Sequence, residues 1–137
     1  MTEMRLRWYT VVVDCLDVRA QAAWWAKVLD WQQVHEADDE CVIIPKHASD
    51  ARLSAEEWDR TGPGLVFVPV PEGKTVKTRL HIDLAPHLDD DRDAQIQRLL
   101  DLGATRVDVG QNADEVTWTV LADPEGNEFC VLSARDR

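Results

Sequence analysis

The order of secondary-structure signals in this sequence occurs twice along the chain. Residues 10–34 and 81–107 each read as a strand, a helix and a strand, with loops that differ by about two residues, and further strand signals follow each unit. An internal duplication with a repeat of about 70 residues explains this pattern most simply. We therefore predict an α+β fold built from two tandem βαβββ modules, over about residues 1–73 and 74–137. The modules would form a single domain, in which a curved mixed sheet surrounds a cleft.

Within the first module, β-branched and apolar residues at 7–15 predict a strand. The Asp17 carboxylate can cap the helix that follows to about Leu29, with Ala22, Trp25 or Ala26 on its apolar stripe. Ser54 and Glu57 have the spacing of a capping box, which predicts a short surface helix. The remaining strand predictions are residues 32–36, 40–45 and 64–70.

The second module opens with KTVKTRLHIDL, residues 74–84, which alternates with the period of a strand. The pattern predicts that Val76, Thr78, Leu80, Ile82 and Leu84 pack on a helix. Lys77, Arg79, His81 and Asp83 would then share the opposite face. Because that many ionisable groups do not fit in a packed core, we expect this face to line a ligand cavity or to meet water.

The rest of the second module follows the same plan. A helix is predicted from the acidic run 89–91 to about Leu102, closed by Gly103. The acidic run could suggest calcium, but negative charge also favours a helix N-terminus, and we prefer that interpretation. Strands are predicted at 106–109, 115–122 and 128–132, the last two joined by the turn DPEGN.

Charge and cysteine content exclude several classes of function. The net charge is −11, spread evenly over the halves, so nucleic acid and anionic membranes are not expected partners. The N-terminal residues lack the long apolar run of a signal peptide, and no segment approaches the length needed to span a bilayer, so we expect a cytoplasmic protein. Cys15, Cys41 and Cys130 are widely spaced without a CxxC pair, so we interpret them as core residues.

Several motifs together resemble the vicinal oxygen chelate superfamily, and within it the glyoxalase-like domain proteins common in actinobacteria. These motifs are the helix ending LDW, the segment KTVKTRLHIDL, the phrase LGATRVDVG and the closing LADPEGNEFCVL. The resemblance implies metal ligands on the first and last strands of each module, which in the second module are His81 and Glu128. In the first module Thr10 matches His81, and LVFVPV offers no donor. A divalent metal is therefore implied only with an incomplete ligand set.

The remaining site candidates come from the predicted cavity face. Glu128, partly desolvated, would have a raised pKa and could act as the catalytic general base. Arg79 could bind an anionic group or pair with an acid such as Asp83, and His81 could simply hydrogen-bond to Asp83. Aromatic walls suit a flat apolar ligand, although ordinary core packing explains tryptophans equally well. The predicted substrate-binding residues are Trp8, Thr10, Arg79, Asp83 and Trp118.

Two functions remain open from the sequence. The first is a glyoxalase-like protein acting on a small metabolite, with metal-assisted lyase or isomerase chemistry or proton transfer by Glu128. The second is a metal-free protein that binds a small molecule, such as an antibiotic-sequestering resistance protein. In either case the expected partner is a small-molecule ligand, and exposed strand edges favour a homodimer.

Overall fold

The computed structural model describes residues 6–48, 51–108 and 118–136. The chain forms two compact units, the first ending at Glu72 and the second beginning at Gly73. Each unit has a four-stranded mixed sheet. The α+β class and the tandem βαβββ order predicted from the sequence are confirmed. None of the helices in the described residues is long and apolar enough to cross a membrane.

The first unit contains β1 to β4, α1 and α2. Its sheet has the order β1-β4-β3-β2, in which β1 is parallel to β4 and the other pairs are antiparallel. The elements are β1 (Thr10–Cys15), α1 (Val18–Leu29), β2 (Gln32–Glu36), β3 (Cys41–Ile44), α2 (Ala55–Arg60) and β4 (Gly64–Pro69). Helix α1 lies against the sheet, as its apolar stripe predicts.

Helix caps in the first unit follow the sequence rules. The Asp17 carboxylate accepts a hydrogen bond from the Ala20 amide at 3.1 Å, and α1 ends at Asp30 with a left-handed φ of 55°. Ser54 caps α2 by accepting from the Glu57 amide, and its hydroxyl donates to the Glu57 carboxylate at 2.9 Å, so the two residues predicted to cap this helix do contact each other. Local side-chain chemistry thus sets where these helices begin.

The second unit repeats the topology of the first. Its sheet has the order β5-β8-β7-β6, again with the first strand parallel to the last. The Asp91 carboxylate caps α3, and Gly103 follows the helix with a φ of 114°. The elements are β5 (Asp83–Leu84), α3 (Arg92–Asp101), β6 (Thr105–Arg106), β7 (Thr119–Ala122) and β8 (Glu128–Val131). The predicted strand residues 109 and 115–117 lie outside the described residues.

The strand predicted over residues 74–84 is wrong for most of its length, because β5 contains only Asp83 and Leu84. Strand β8 begins at Glu128, and the parallel ladder pairs Asp83 with Cys130, so a β5 that started before residue 81 would run past the start of β8. Val76 and Leu80, predicted to pack on a helix, are 75% and 83% exposed. An alternating pattern alone does not make a strand when no neighbouring strand extends far enough.

Each unit has its own buried core on one face of its sheet. In the first unit this core includes Ala22, Trp25, Ile43, Leu65 and Phe67, and in the second Ile96, Leu99, Leu121, Phe129 and Val131. All three cysteines are buried, as predicted. Burial of an aromatic or branched side chain contributes about 1.5–3 kcal/mol.

Gly64 is the first residue of β4 and lies against the backbone of β3. A Cβ atom added at Gly64 would lie 2.8 Å from the carbonyl oxygen of Ile43, which is backbone and has little room to shift. We expect Gly64→Ala to lower the free energy of unfolding by about 1–2 kcal/mol, measured by urea denaturation. Gly62→Ala is the matched control, because nothing lies within 4 Å of the added atom. Equal stability of the two variants would contradict this packing argument.

Candidate functional site

A cavity of about 320 Å³ opens on the second unit, on the sheet face opposite Phe129 and Val131. Alternation along β8 directs Glu128 and Cys130 into it, while β7 contributes Val120 and β5 contributes Asp83. The polar lining residues are Lys77, Thr78, His81, Asp83, Glu128 and Cys130, and the apolar ones are Trp118, Val120 and Leu132. The cavity therefore combines a polar side with an aromatic and aliphatic side.

Glu128 is placed by the turn that precedes β8. Asp123 Oδ1 accepts hydrogen bonds from the amides of Glu125 and Asn127 at 2.9 and 3.0 Å. The Asn127 side chain donates to Asp123 Oδ2 at 3.0 Å, and Gly126 has a φ of 87°. Because Glu128 follows Asn127 directly, this turn fixes where its side chain enters the cavity.

Both carboxylate oxygens of Glu128 are already occupied by neighbouring groups. Lys74 Nζ lies 3.0 Å from Oε1, and the Thr78 hydroxyl and amide donate to Oε2, the amide at 3.4 Å. The Glu128 side chain is only 15% exposed. We call these contacts of Glu128 with Lys74 and Thr78 the Glu128 latch, since they hold the segment before β5 against β8.

The latch determines how Glu128 ionises. Burial raises the pKa of this carboxyl, but the hydrogen bonds from Thr78 and Lys74 outweigh that effect and lower it to about 2. The sequence-based expectation of a raised pKa is wrong, because it assumed desolvation without these donors. A carboxylate with so low a pKa is a weak base, since efficient general bases titrate near the working pH.

His81, Asp83 and Cys130 form a second polar group in the cavity. His81 Nε2 lies 3.2 Å from Asp83 Oδ1. Asp83 and Cys130 are paired residues on the parallel strands β5 and β8, so their side chains are neighbours on the same face of the sheet. Burial and the hydrogen bond with Asp83 raise the pKa of the Cys130 thiol. The predicted partners His81 and Asp83 are thus in contact through these two atoms.

The metal site implied by the superfamily resemblance does not fit these donors. His81 and Glu128 do line one cavity, but Glu128 is engaged by Lys74 and Thr78. In the first unit, β4 reads GLVFVP and carries no donor side chain, and the Thr10 hydroxyl donates to the Val11 carbonyl at 3.4 Å. We therefore derive no chemistry from a metal held by His81 and Glu128.

The other predicted site residues are distributed over both units. Trp118 lines the cavity and is 40% exposed, and Asp83 lines it beside His81. Arg79 is exposed and is not among the lining residues of this cavity. Trp8 and Thr10 belong to the first unit, where Trp8 is 70% exposed and Thr10 begins β1.

Sequence reasoning missed several residues of the site. Thr78 was assigned to the helix-facing side, and Lys74 was not linked to Glu128, which is 54 positions away. Cys130 was interpreted as a core residue and was not named as a site residue, although the alternation of residues 128–132 places it on the same strand face as Glu128 and Leu132. That shared face was the one sequence signal that could have placed Cys130 in the cavity.

The paired βαβββ modules define a known class of fold, and comparisons with known proteins identify the family. The model of the glyoxalase-like domain family matches residues 10–132. The chain therefore belongs to that family, which confirms the resemblance to glyoxalase-like domain proteins, whereas the grouping with actinobacterial proteins stays a prediction. No curated protein matches the sequence.

Solved structures show the same fold at low sequence identity. A fosfomycin resistance protein, FosX, from Listeria monocytogenes, solved with Mn(II) and sulfate, has a TM-score of 0.67 and 11% identity, covering 96% of this chain and 93% of that one. A glyoxalase/bleomycin resistance/dioxygenase family enzyme from Burkholderia phytofirmans has a TM-score of 0.66 and 14% identity, covering 95% and 100%. A possible glyoxalase from Bacillus cereus has a TM-score of 0.63 and 15% identity, covering 90% and 95%.

Proposed function

We propose that this protein binds a small, flat, partly polar molecule in the cavity of its second unit. The observation that carries this proposal is the composition of the cavity, in which Trp118 faces space also bordered by His81 and Asp83. An aromatic wall contributes about 0.5–1.5 kcal/mol to stacking on a flat ligand beyond area burial. The imidazole and the carboxylate provide hydrogen-bonding groups that orient it.

Binding is favoured over proton transfer because of the state of Glu128. The Glu128 latch keeps this residue ionised and hydrogen-bonded, so it supports the cavity wall and does not accept a proton from a ligand. A cavity of about 320 Å³ is at the lower end of the range for ligand sites, which suits a single- or double-ring molecule.

Tryptophan fluorescence offers a direct test of this proposal. Trp118 is the single tryptophan after residue 72, and the other five belong to the first unit. We expect a binder from a panel of flat aromatic compounds with polar substituents to quench part of the emission, and we expect Trp118→Phe to remove that part. Trp58→Phe is the control, because Trp58 contacts Arg7 in the first unit. Quenching that is unchanged in Trp118→Phe, or no binder in the panel, would argue against the proposal.

Several finer functions predicted from the sequence stay predictions. They are metal-assisted lyase or isomerase chemistry, antibiotic sequestration, homodimer formation and a cytoplasmic location. Catalysis by Glu128 as a general base also stays a prediction, and its lowered pKa argues against it. Its test is turnover in Glu128→Gln, since full activity in that variant would exclude it.

A further inference from the structure

We propose that His81, Asp83 and Cys130, which line the cavity, form a binding site for a divalent transition metal such as zinc or cobalt. The imidazole nitrogen, carboxylate oxygen and thiol sulfur that would act as ligands all lie within 4.8 Å of one another. All three residues line the cavity, so a metal between them would keep an open position toward it. Three protein ligands and one open position are the arrangement of catalytic zinc sites.

Backbone structure holds two of these ligands in place. Asp83 and Cys130 are a cross-strand pair of the parallel ladder, and the Cys130 amide donates to the Ile82 carbonyl at 3.0 Å. Cys130 is only 8% exposed, so the surrounding atoms leave its side chain few alternative orientations. His81 Nε2 already lies 3.2 Å from Asp83 Oδ1, so these two donor atoms are next to each other. The ligands therefore need little rearrangement, which favours binding.

The donor types select the kind of metal. Thiolate and imidazole ligands suit zinc, cobalt and other borderline or soft ions, whereas magnesium and calcium prefer oxygen. Binding would replace the thiol proton: the Cys130 S–H bond breaks, the sulfur–metal bond forms, and the proton leaves to solvent. The thiolate and the Asp83 carboxylate then balance the two positive charges of the metal.

This site differs from the pair that the superfamily resemblance implies. It shares His81 but replaces Glu128, which stays with Lys74 and Thr78. It deepens the proposed function, because the open position of the metal would face the bound ligand. A metal can bind there without an organic ligand, so the two proposals can fail separately.

Cobalt spectroscopy tests the site on the full chain. The protein is stripped with a chelator and titrated with Co²⁺ alone. We expect a near-ultraviolet charge-transfer band from sulfur and visible bands of a four-coordinate ion, saturating at one equivalent per chain. Absence of the sulfur band in the wild-type protein would overturn the proposal.

Variants then identify the ligands. We expect Cys130→Ser to lose the charge-transfer band, and His81→Ala and Asp83→Asn to weaken Co²⁺ binding at least about tenfold, since even outer partners of metal ligands contribute that much. Cys41→Ser is the matched control, because Cys41 is a buried thiol of the first unit. Thermal melting of each metal-free variant confirms that it folds.

Glu128→Gln separates this site from the alternative pair. Retained Co²⁺ affinity in Glu128→Gln supports ligation by Asp83 and Cys130. Lost affinity in Glu128→Gln with an unchanged spectrum in Cys130→Ser would overturn the proposal in favour of His81 and Glu128. Quenching of Trp118 by an aromatic ligand in the metal-free protein would leave the proposed function standing whatever the cobalt result.

Discussion

Asp123→Ala is expected to lower the free energy of unfolding by about 2–4 kcal/mol, because it removes the acceptor for several donors of the DPEGN turn. Asp123 is 4% exposed, and its carboxylate accepts from two backbone amides and from the Asn127 side chain. Without it these partly buried donors lose their acceptor. Urea denaturation of the wild-type protein and the variant measures the loss.

Asp123→Asn provides the graded comparison for this prediction. The amide oxygen of asparagine can still accept from the Glu125 and Asn127 amides, but its NH₂ group would face the Asn127 side-chain donor. We therefore expect a smaller loss, of about 1 kcal/mol. Equal losses in the two variants would show that the charge of Asp123, and not its acceptor geometry, stabilises the turn.

Glu128→Gln is expected to lower the free energy of unfolding by about 2 kcal/mol at neutral pH. The pKa of Glu128 falls from 4.5 to about 2 in the folded protein, and each pKa unit corresponds to about 1.4 kcal/mol. Because Lys74 is partly exposed to solvent, we reduce the full conversion to about 2 kcal/mol. The loss reflects the Glu128 latch alone, since glutamine has a similar size.

The lowered pKa of Glu128 also predicts how the effect of Glu128→Gln on stability changes with pH. A carboxyl whose pKa is lowered by folding stabilises the protein fully above its unfolded pKa, and that contribution is lost as the pH falls from 4.5 toward about 2. The stability difference between wild type and Glu128→Gln should therefore stay constant above the unfolded pKa of 4.5 and shrink as the pH falls below it toward about 2. Glu56→Gln is the control, because Glu56 pairs with Arg60 on an exposed helix surface. A difference that stays constant with pH would contradict the lowered pKa.

The parts of the fold that depend on local sequence could be predicted. Asp17, Ser54 and Asp91 each cap the helix that their position indicates, because a capping side chain contacts only the next few residues. The duplicated strand order followed from hydrophobic periodicity in the same way. Such features need no information about distant parts of the chain.

The candidate site was predicted only in part, because its contacts link distant residues. His81, Asp83, Trp118 and Glu128 all line the cavity, since they share one face of the second sheet and its flanking segments. The contact of Thr78 with Glu128 joins residues 50 positions apart, and no local pattern indicates it. The length of β5 likewise depends on where β8 begins, which the alternation of residues 74–84 does not contain.

The Glu128 latch also affects how strongly a ligand can bind. A molecule lying against both Thr78 and Asp83 contacts a segment held by side chains as well as a segment held by strand pairing. Fixing the backbone of a free segment costs about 1–2 kcal/mol of conformational entropy per residue. Because the latch orders this segment when the protein folds, its entropy cost does not reduce the free energy of ligand binding. Glu128 can thus strengthen binding by preorganisation, without touching the ligand.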